Sequence, residues 1–327
     1  MSQAEELHQQ ASPWPTAAAA QGWQVAAWLD VARVPTSQAL EQIKRLVAAH
    51  EALSEVIHFT DEGRAIGWVD QGRFESRFVP LLDFGTARKP GTPSTQLSDP
   101  APHALGWRAG LLAFNQQAVV LSSTALFASI DNASLLIALD RMTRQLHCLN
   151  FFLGSVPGLL FLPVHERLLK SVRYDHGKYF AAALLTLGFD PARVVIEIPD
   201  AAAAHRTFLE YLVTSYRSYG FKVAATLQNP GSILSLTRSG MPDFVIADVE
   251  QALRDRMVKP LLAYAEQIGT RLIFDGVDDL DQASRIATLA SLREQGVRYL
   301  ATSSLSTPPG GTAHRANDLD DLPFAAR

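Results

Sequence analysis

Acidic and polar side chains follow nearly every predicted strand in the second half of the chain. The carboxyl ends of parallel strands meet at one rim, so we expect these side chains to gather there. Carboxylates at such a rim could bind a hard cation such as Mg²⁺. The same acids could instead cap the following helices or pair with arginines, which is the interpretation that the pattern favours. The rim set is His165, Glu197, Asp200, Gln228, Asn229, Asp248, Glu250, Asp275, Asp278, Ser303 and Ser304.

Six apolar segments precede these rim residues and are predicted to be strands. Each is nearly continuous in apolar residues, as expected for strands covered on both faces. Amphipathic helical patterns lie between most of them, and parallel neighbours require such crossovers. The segments are Leu159–Val164, Val194–Ile198, Lys222–Leu227, Asp243–Asp248, Arg271–Asp275 and Val297–Ala301.

Two earlier segments, Arg77–Phe84 and Trp107–Phe114, bring the strand count to about eight. The pattern therefore favours an α/β fold with a closed (β/α)8 TIM-like barrel over an open doubly wound sheet. The sequence has no G-x-G-x-x-G after a strand, which weakens the open-sheet alternative. It also has no G-x-S-x-G elbow, H-E-x-x-H or Walker sequence.

The segments outside this regular pattern suggest four parts. A helical pattern over 37–53 and a hairpin around Asp61-Glu62-Gly63 predict a small α/β module. A Pro-rich stretch at 86–103 predicts a long loop. The predicted parts are a flexible lead-in (1–20), the N-terminal module (21–72), the barrel (73–308) and a tail (309–327).

Composition restricts the partners and the compartment. The net charge of -4 gives no basic footprint for a nucleic-acid polymer. Cys148 is the single cysteine and no signal segment is recognisable, so we expect a cytoplasmic protein. The most apolar stretch, Leu149–Val164, is too short and too interrupted to span a membrane.

The order of these segments resembles the bacterial EAL domain family of cyclic di-GMP phosphodiesterases over roughly residues 76–308. Gly106–Leu111 is similar to the segment Gly-Tyr-Glu-Ala-Leu-Leu that names the family. The resemblance rests on shared order and spacing, and it implies the EAL type of barrel and a role in signal transduction. The other similar segments are Phe78–Asp83, Val195–Asp200, Pro242–Asp248, Phe274–Asp278 and Gly296–Pro308.

The chain departs from the family where active members hold two divalent metals. Only Glu197 persists, and Asp275 replaces a longer Glu. Two acids with a guanidinium among them cannot coordinate the paired ions that such hydrolysis needs. The resemblance therefore implies a degenerate site with no catalytic residues, no metal and no cofactor. The substituted positions are Arg108 for the naming Glu, Pro163 for an Asn, Thr226 and Leu227 for an Asp pair, Ile246 for the catalytic Lys and Ala301 for a Gln.

Three functions follow as hypotheses. The first is a non-catalytic regulator that binds a protein partner or forms a homodimer, as active relatives commonly do. The second is a cyclic di-GMP receptor without turnover, which the loss of a phosphate-gripping Arg at Leu112 weakens. The third is a residual phosphodiesterase that uses Mg²⁺ or Mn²⁺ at an acidic cluster of Glu197, Asp248 and Asp275. The sequence identifies neither the partner nor the pathway.

Arg108 gives a specific structural prediction. Burying unpaired acids is costly, and a guanidinium can satisfy them. We therefore predict that Arg108 points into the barrel and pairs with Glu197 or Asp275. The alternative is that its guanidinium lies at the rim, more than about 6 Å from both carboxylates.

Overall fold

The computed structural model describes residues 37–69, 72–83, 103–115, 120–121, 123–171, 177–236 and 240–276. The lead-in, the tail, most of the Pro-rich loop and the predicted last strand Val297–Ala301 lie outside the described residues, as do Asp278, Ser303 and Ser304.

The first described elements are helices α1 (Ser37–Ala49) and α2 (Glu51–Ser54). They precede strands β1 (Ile57–Phe59) and β2 (Ala65–Val69), which pair antiparallel and confirm the predicted hairpin. Strand β2 also pairs with the next strand, so the hairpin continues the main sheet. The domain boundary near residue 72 stays a prediction.

Two long antiparallel strands follow, β3 (Gly72–Asp83) and β4 (His103–Phe114). The first of these, predicted as Arg77–Phe84 among the parallel strands, is antiparallel to its neighbours, so the predicted direction is wrong. An apolar run shows that a segment is a strand, but the run itself does not encode the direction of pairing. A short strand, β5 (Val120–Leu121), pairs with the end of β4.

Apart from β5, which is antiparallel to β4, the described strands from β4 onward run parallel in chain order. Each of the five predicted segments in this region is confirmed, with bounds that agree within one residue. The strands are β6 (Leu159–Pro163), β7 (Val194–Ile198), β8 (Lys222–Leu227), β9 (Phe244–Asp248) and β10 (Arg271–Asp275).

Helices lie between these strands and cover the sheet. The helix Val258–Ile268 is capped by Gly269, whose φ of +77° is a left-handed conformation that residues with a Cβ rarely adopt. The helices are α3 (Ser123–Ser129), α4 (Ala133–Leu153), α5 (Glu166–Ser171), α6 (Lys178–Thr186), α7 (Asp200–Ala203), α8 (Arg206–Ser218), α9 (Val249–Arg254) and α10 (Val258–Ile268).

The core lies on both faces of the parallel strands. All five residues of β7 are buried, which is the burial expected when helices cover one face and the barrel interior the other. The architecture is the predicted α/β fold of the TIM-like barrel type. In the described part of the chain, we find no helix with the length and apolar character needed to cross a bilayer.

Candidate functional site

Arg108 joins two acidic residues inside the barrel. Its Nε donates to both carboxylate oxygens of Glu197, at 2.8 and 3.0 Å. Its Nη1 donates to Oδ2 of Asp275 at 2.7 Å. The predicted pairing of Arg108 is thus confirmed, and it involves both acids rather than one. We call these three residues the mouth triad.

The strands bring the mouth triad together from distant parts of the sequence. Arg108 lies on β4, level with Phe161 of β6. Glu197 is the fourth residue of β7 and Asp275 is the last residue of β10. Their charges meet near the carboxyl ends of the strands, where this type of fold usually places function.

Burial decides the electrostatics of the triad. The side chain of Glu197 is 4% exposed and that of Arg108 10%. Burial opposes a charge on Arg108, but the carboxylates, Glu197 first, outweigh it and raise the pKa of this arginine. Burial also raises the pKa of Glu197, and Arg108 works against that rise. The positive charge of Arg108 therefore offsets the free-energy cost of burying the carboxylate of Glu197.

The triad is one positive charge against two negative ones. The side chain of Asp275 is 30% exposed, so the excess negative charge lies toward the solvent side. Oδ1 of Asp275 also accepts from the backbone N–H of Gly276, at 3.0 Å. The cluster thus has a buried end at Glu197, where both carboxylate oxygens accept from Arg108, and a partly exposed end at Asp275.

The other described positions singled out in the sequence lie on β6, β8 and β9. Pro163 is level with Glu197 and exposed, and Thr226 is level with Ile246. Ile246 and the neighbouring Leu227 are buried apolar residues. Ala301 lies outside the described residues, and whether these positions form a degenerate site stays a prediction.

Capping accounts for several rim residues, as the pattern favoured. Oδ1 of Asp248 accepts from the N–H of Gln251 at the start of α9, at 2.7 Å, and Asn229 caps the 3-10 helix Pro230–Ser235. Asp200 accepts from the N–H of Gln228 at 2.9 Å. These acids and amides therefore have a structural role that explains their presence at strand ends.

The predicted acidic cluster is only partly assembled. Asp248 lies directly opposite Asp275 in the pairing of β9 with β10. Glu197 is separated from that pair by Arg108, which bonds to it and to Asp275. Across the described ranges, no group of three or more His, Cys, Asp or Glu side chains is arranged to hold a metal ion.

Sequence reasoning missed a second buried arginine on the inner face of the barrel. Arg77 of β3 is 6% exposed, and burial lowers its pKa to about 10. Its position follows from the register, because Arg77 and Val79 alternate with outward residues and Val79 lies opposite Arg108. The period-two pattern of β3 was the signal that could have identified it.

Comparisons with known proteins identify the type of fold. No family model matches the chain and no curated protein matches it. Solved structures of EAL proteins do match. The Klebsiella pneumoniae BlrP1 complex with manganese and cyclic di-GMP matches with a TM-score of 0.50 and 18% identity, covering 69% of this chain and 54% of that one.

Two further structures agree. The Bacillus subtilis YkuI protein, which has an EAL domain and is in complex with cyclic di-GMP and calcium, gives a TM-score of 0.51 and 20% identity over 77% of this chain and 59% of that chain. The Pseudomonas aeruginosa FimX EAL domain bound to cyclic di-GMP gives a TM-score of 0.51 and 15% identity over 70% of this chain and 88% of that chain. The chain spans little more than half the length of the Klebsiella and Bacillus structures. Its fold is EAL-like.

Proposed function

We propose that the chain is a catalytically inactive EAL-like regulator that acts by binding a protein partner. The observation that carries the proposal is the mouth triad, in which Arg108 bridges Glu197 and Asp275 at 2.7 to 2.8 Å. A guanidinium in this position uses the carboxylate oxygens that a divalent ion would need.

The metal chemistry implied by EAL proteins does not fit the residues present. Hydrolysis with two metals needs ions about 3.5–4 Å apart that share carboxylates. Both oxygens of Glu197 bond to Arg108, and the fixed positive charge of Arg108 repels any cation that approaches them.

The surroundings of the triad support the same proposal. Ile246 is 1% exposed and offers no proton donor, base or ligand. Thr226 and Leu227 provide no carboxylate at the end of β8. A lysine or paired carboxylates at these positions could activate water or hold a metal ion, and the aliphatic and hydroxyl side chains present there cannot.

Product analysis tests the loss of catalysis. The purified chain is incubated with cyclic di-GMP and either Mg²⁺ or Mn²⁺, and the products are separated by chromatography. We expect no linear dinucleotide. Glu197→Gln is the matched variant, because it keeps the shape of the side chain and removes its charge. Linear product that forms with the wild type and disappears with Glu197→Gln contradicts the proposal.

Metal binding tests the role of Arg108 separately. We expect Mn²⁺ to leave the Tm of the wild type unchanged and to raise the Tm of Arg108→Glu, because that variant replaces a repelling cation with a third carboxylate. A Mn²⁺-dependent rise of equal size in both proteins would show that Arg108 does not exclude the ion.

Binding of cyclic di-GMP without turnover is the second candidate. It is favoured by the fold shared with the Pseudomonas domain that is bound to cyclic di-GMP. The excess negative charge of the triad disfavours a ligand with two phosphates. Calorimetric titration distinguishes the candidates, since saturable heat with the dinucleotide supports a receptor and its absence supports a regulator that works through protein contacts alone.

A further inference from the structure

Strands β3 and β4 extend well beyond the barrel rim. Arg108 is level with Phe161, so the end of β6 at Pro163 is level with Gly110. Phe114, the last residue of β4, lies four positions further along. At about 3.3 Å per residue, this part of the sheet rises roughly 13 Å above the end of β6. We call it the wall.

The wall continues the face that lines the barrel. Residues directly opposite each other in an antiparallel pair lie on the same face, and alternate residues of a strand return to it. Arg73 is opposite both Trp68 of β2 and Phe114 of β4. Counting in twos from Arg108 reaches Phe114, so this row of three shares the face of the mouth triad.

The opposite face of the wall is already covered by helix α4. His147 and Asn150 of α4 bond to Ser76 of β3, and a Cβ on Gly67 of β2 would collide with the sulfur of Met142. Ser76 and Gly67 alternate with the row residues along their strands. The face that carries the row is therefore the one turned away from α4.

The row is aromatic and partly exposed. Trp68 is 42% exposed. The guanidinium of Arg73 lies 4.4 Å from the centroid of the Phe114 ring, and its Nη2 pairs with Glu75 at 3.1 Å. The charges of Arg73 and Glu75 cancel, so the wall offers apolar and aromatic area with little net charge.

The foot of the wall is acidic. Among the residues that the structure describes, two guanidinium groups on the inner face oppose four carboxylates on the inner face and at the strand ends, and the adjacent charges of Glu166 and Arg167 cancel. The groups counted are Arg77 and Arg108 against Glu197, Asp200, Asp248 and Asp275. Asp248 is exposed, so part of this negative charge reaches solvent.

We infer that the wall and the acidic mouth at its foot together form a docking surface for a basic, apolar segment of a protein partner. This inference rests on the proposed regulatory function and specifies the chemistry of the partner. Leucine or phenylalanine side chains of the segment pack on Trp68 and Phe114. Lysine or arginine side chains of the same segment reach Asp248 and Asp275.

Charge complementarity selects this occupant over an anionic one. Phosphate groups placed at the mouth would meet excess carboxylates, whereas lysine would relieve that repulsion. Exposed tryptophan beside a neutralised arginine is also the composition of strong interface positions, where a few aromatic side chains carry most of the binding energy.

Fluorescence anisotropy with designed peptides tests the inference on the full chain. The probe is a labelled short peptide rich in lysine with leucine and phenylalanine between the lysines. One matched peptide replaces every lysine with glutamate, and another replaces every leucine and phenylalanine with serine. We expect saturable binding of the first peptide only.

Three variants locate the binding. Trp68→Thr keeps a residue suited to a strand and should weaken binding about tenfold. Asp248→Asn keeps the cap of α9, removes one charge and should weaken binding about threefold at low salt, with the difference lost at high salt. Tyr179→Ser removes an aromatic ring that is 76% exposed on α6 and should change nothing.

The outcomes separate this inference from the proposed function. Equal binding of the acidic peptide, equal effects of Trp68→Thr and Tyr179→Ser, or no binding of the basic peptide would each overturn the docking surface. No nucleotide or metal is present in the assay. Hydrolysis of cyclic di-GMP in the separate product assay would overturn the proposed function and leave the peptide result intact.

Discussion

Two polar clusters lie on opposite faces of the sheet that contains β3 and β4. They offset the free-energy cost of burying polar groups in different ways. The mouth triad joins strands through charge, with Arg108 between two acids. Behind the sheet, the side chain of Asn150 accepts from the N–H of Ala65 at 2.8 Å and donates to its carbonyl at 2.9 Å. We call Asn150, Ala65, Ser76 and His147 the amide clamp.

The clamp is neutral and complete. Asn150 also donates to Oγ of Ser76, at 3.1 Å, and Ser76 lies 2.8 Å from Nδ1 of His147. Each of these groups has a hydrogen-bond partner when the hydroxyl of Ser76 accepts from Asn150 and donates to an uncharged His147. Burying neutral polar groups costs much less free energy than burying ions, and hydrogen bonds offset that cost. The clamp can therefore fix β2 against α4 without a balancing charge.

The two clusters differ in how strongly each depends on a single residue. Removing one charged residue leaves an uncompensated ion in a buried place, whereas removing a neutral residue leaves unsatisfied hydrogen-bonding groups. The triad should therefore be the more sensitive of the two to a single substitution.

The largest effect is expected for Arg108→Ala. It leaves Glu197 buried beside Asp275 without a cation, and breaking a buried pair in this way costs about 3–5 kcal/mol. The free energy of unfolding is measured by urea titration. We expect part of the loss to disappear as the pH is lowered, because protonation of Glu197 removes the unpaired charge.

Arg108→Lys is the matched control. Lysine keeps the positive charge but lacks the planar fork that reaches both acids, so its loss should be clearly smaller. If the alanine and lysine variants lose the same amount of stability, the geometry of the guanidinium rather than its charge holds the triad together, and the comparison with the clamp weakens.

The second effect is expected for Asn150→Leu, which keeps the approximate shape of the side chain. The N–H and carbonyl of Ala65 then lose their partner, and we expect a loss of about 2–3 kcal/mol in the free energy of unfolding. Hydrogen exchange at Ala65 should rise more than exchange in the parallel strands. A stability loss as large as that of Arg108→Ala would reverse the ranking of the clusters.

The sequence predicted part of one cluster and missed the other for a physical reason. The resemblance to the EAL family brought Arg108, Glu197 and Asp275 to one cavity, and the cost of burying an unpaired charge then predicted that Arg108 pairs with one of the two acids. Asn150 and Ala65 are 85 positions apart. A neutral amide beside an alanine carries no charge pattern that would mark the contact.

The strands were likewise predicted only in part from the sequence. Apolar runs identified the parallel strands, because both of their faces are covered. The direction of β3 and the inward position of Arg77 were not predicted, since both depend on register and pairing rather than on composition. The wall could be inferred only after the register was known.

The third effect concerns pH and separates the clamp from the triad. Burial lowers the pKa of His147 to about 3, whereas an unfolded histidine titrates near 6.5. The unfolded chain therefore takes up this proton first, and the stability present above pH 6.5 is lost as the pH falls. Between about pH 7.5 and 5.5 this residue should account for a loss of about 1.4 kcal/mol.

His147→Asn isolates that contribution, because asparagine does not titrate and can still bond to Ser76. The difference in unfolding free energy between wild type and variant should shrink by the same amount over this pH range. The other histidines are common to both proteins and cancel. A difference that stays constant with pH would mean that His147 titrates normally and that the clamp is hydrated.

The smallest effect is expected for an ion pair in solvent, which shows what burial adds to the triad. Arg206 and Glu210 lie one turn apart on α8, with Nε to Oε1 at 3.2 Å and side chains 57% and 33% exposed. Solvent screens such a pair, and helical pairs of this spacing contribute about 0.3–0.5 kcal/mol. We expect Arg206→Gln to lower the free energy of unfolding in urea by no more than this amount, and high salt should remove the loss. The loss in Arg108→Ala should persist in high salt, because buried charges are screened much less. Salt that erased both losses equally would show that the triad is as hydrated as the surface pair, and the proposed exclusion of cations by Arg108 would then lose its physical basis.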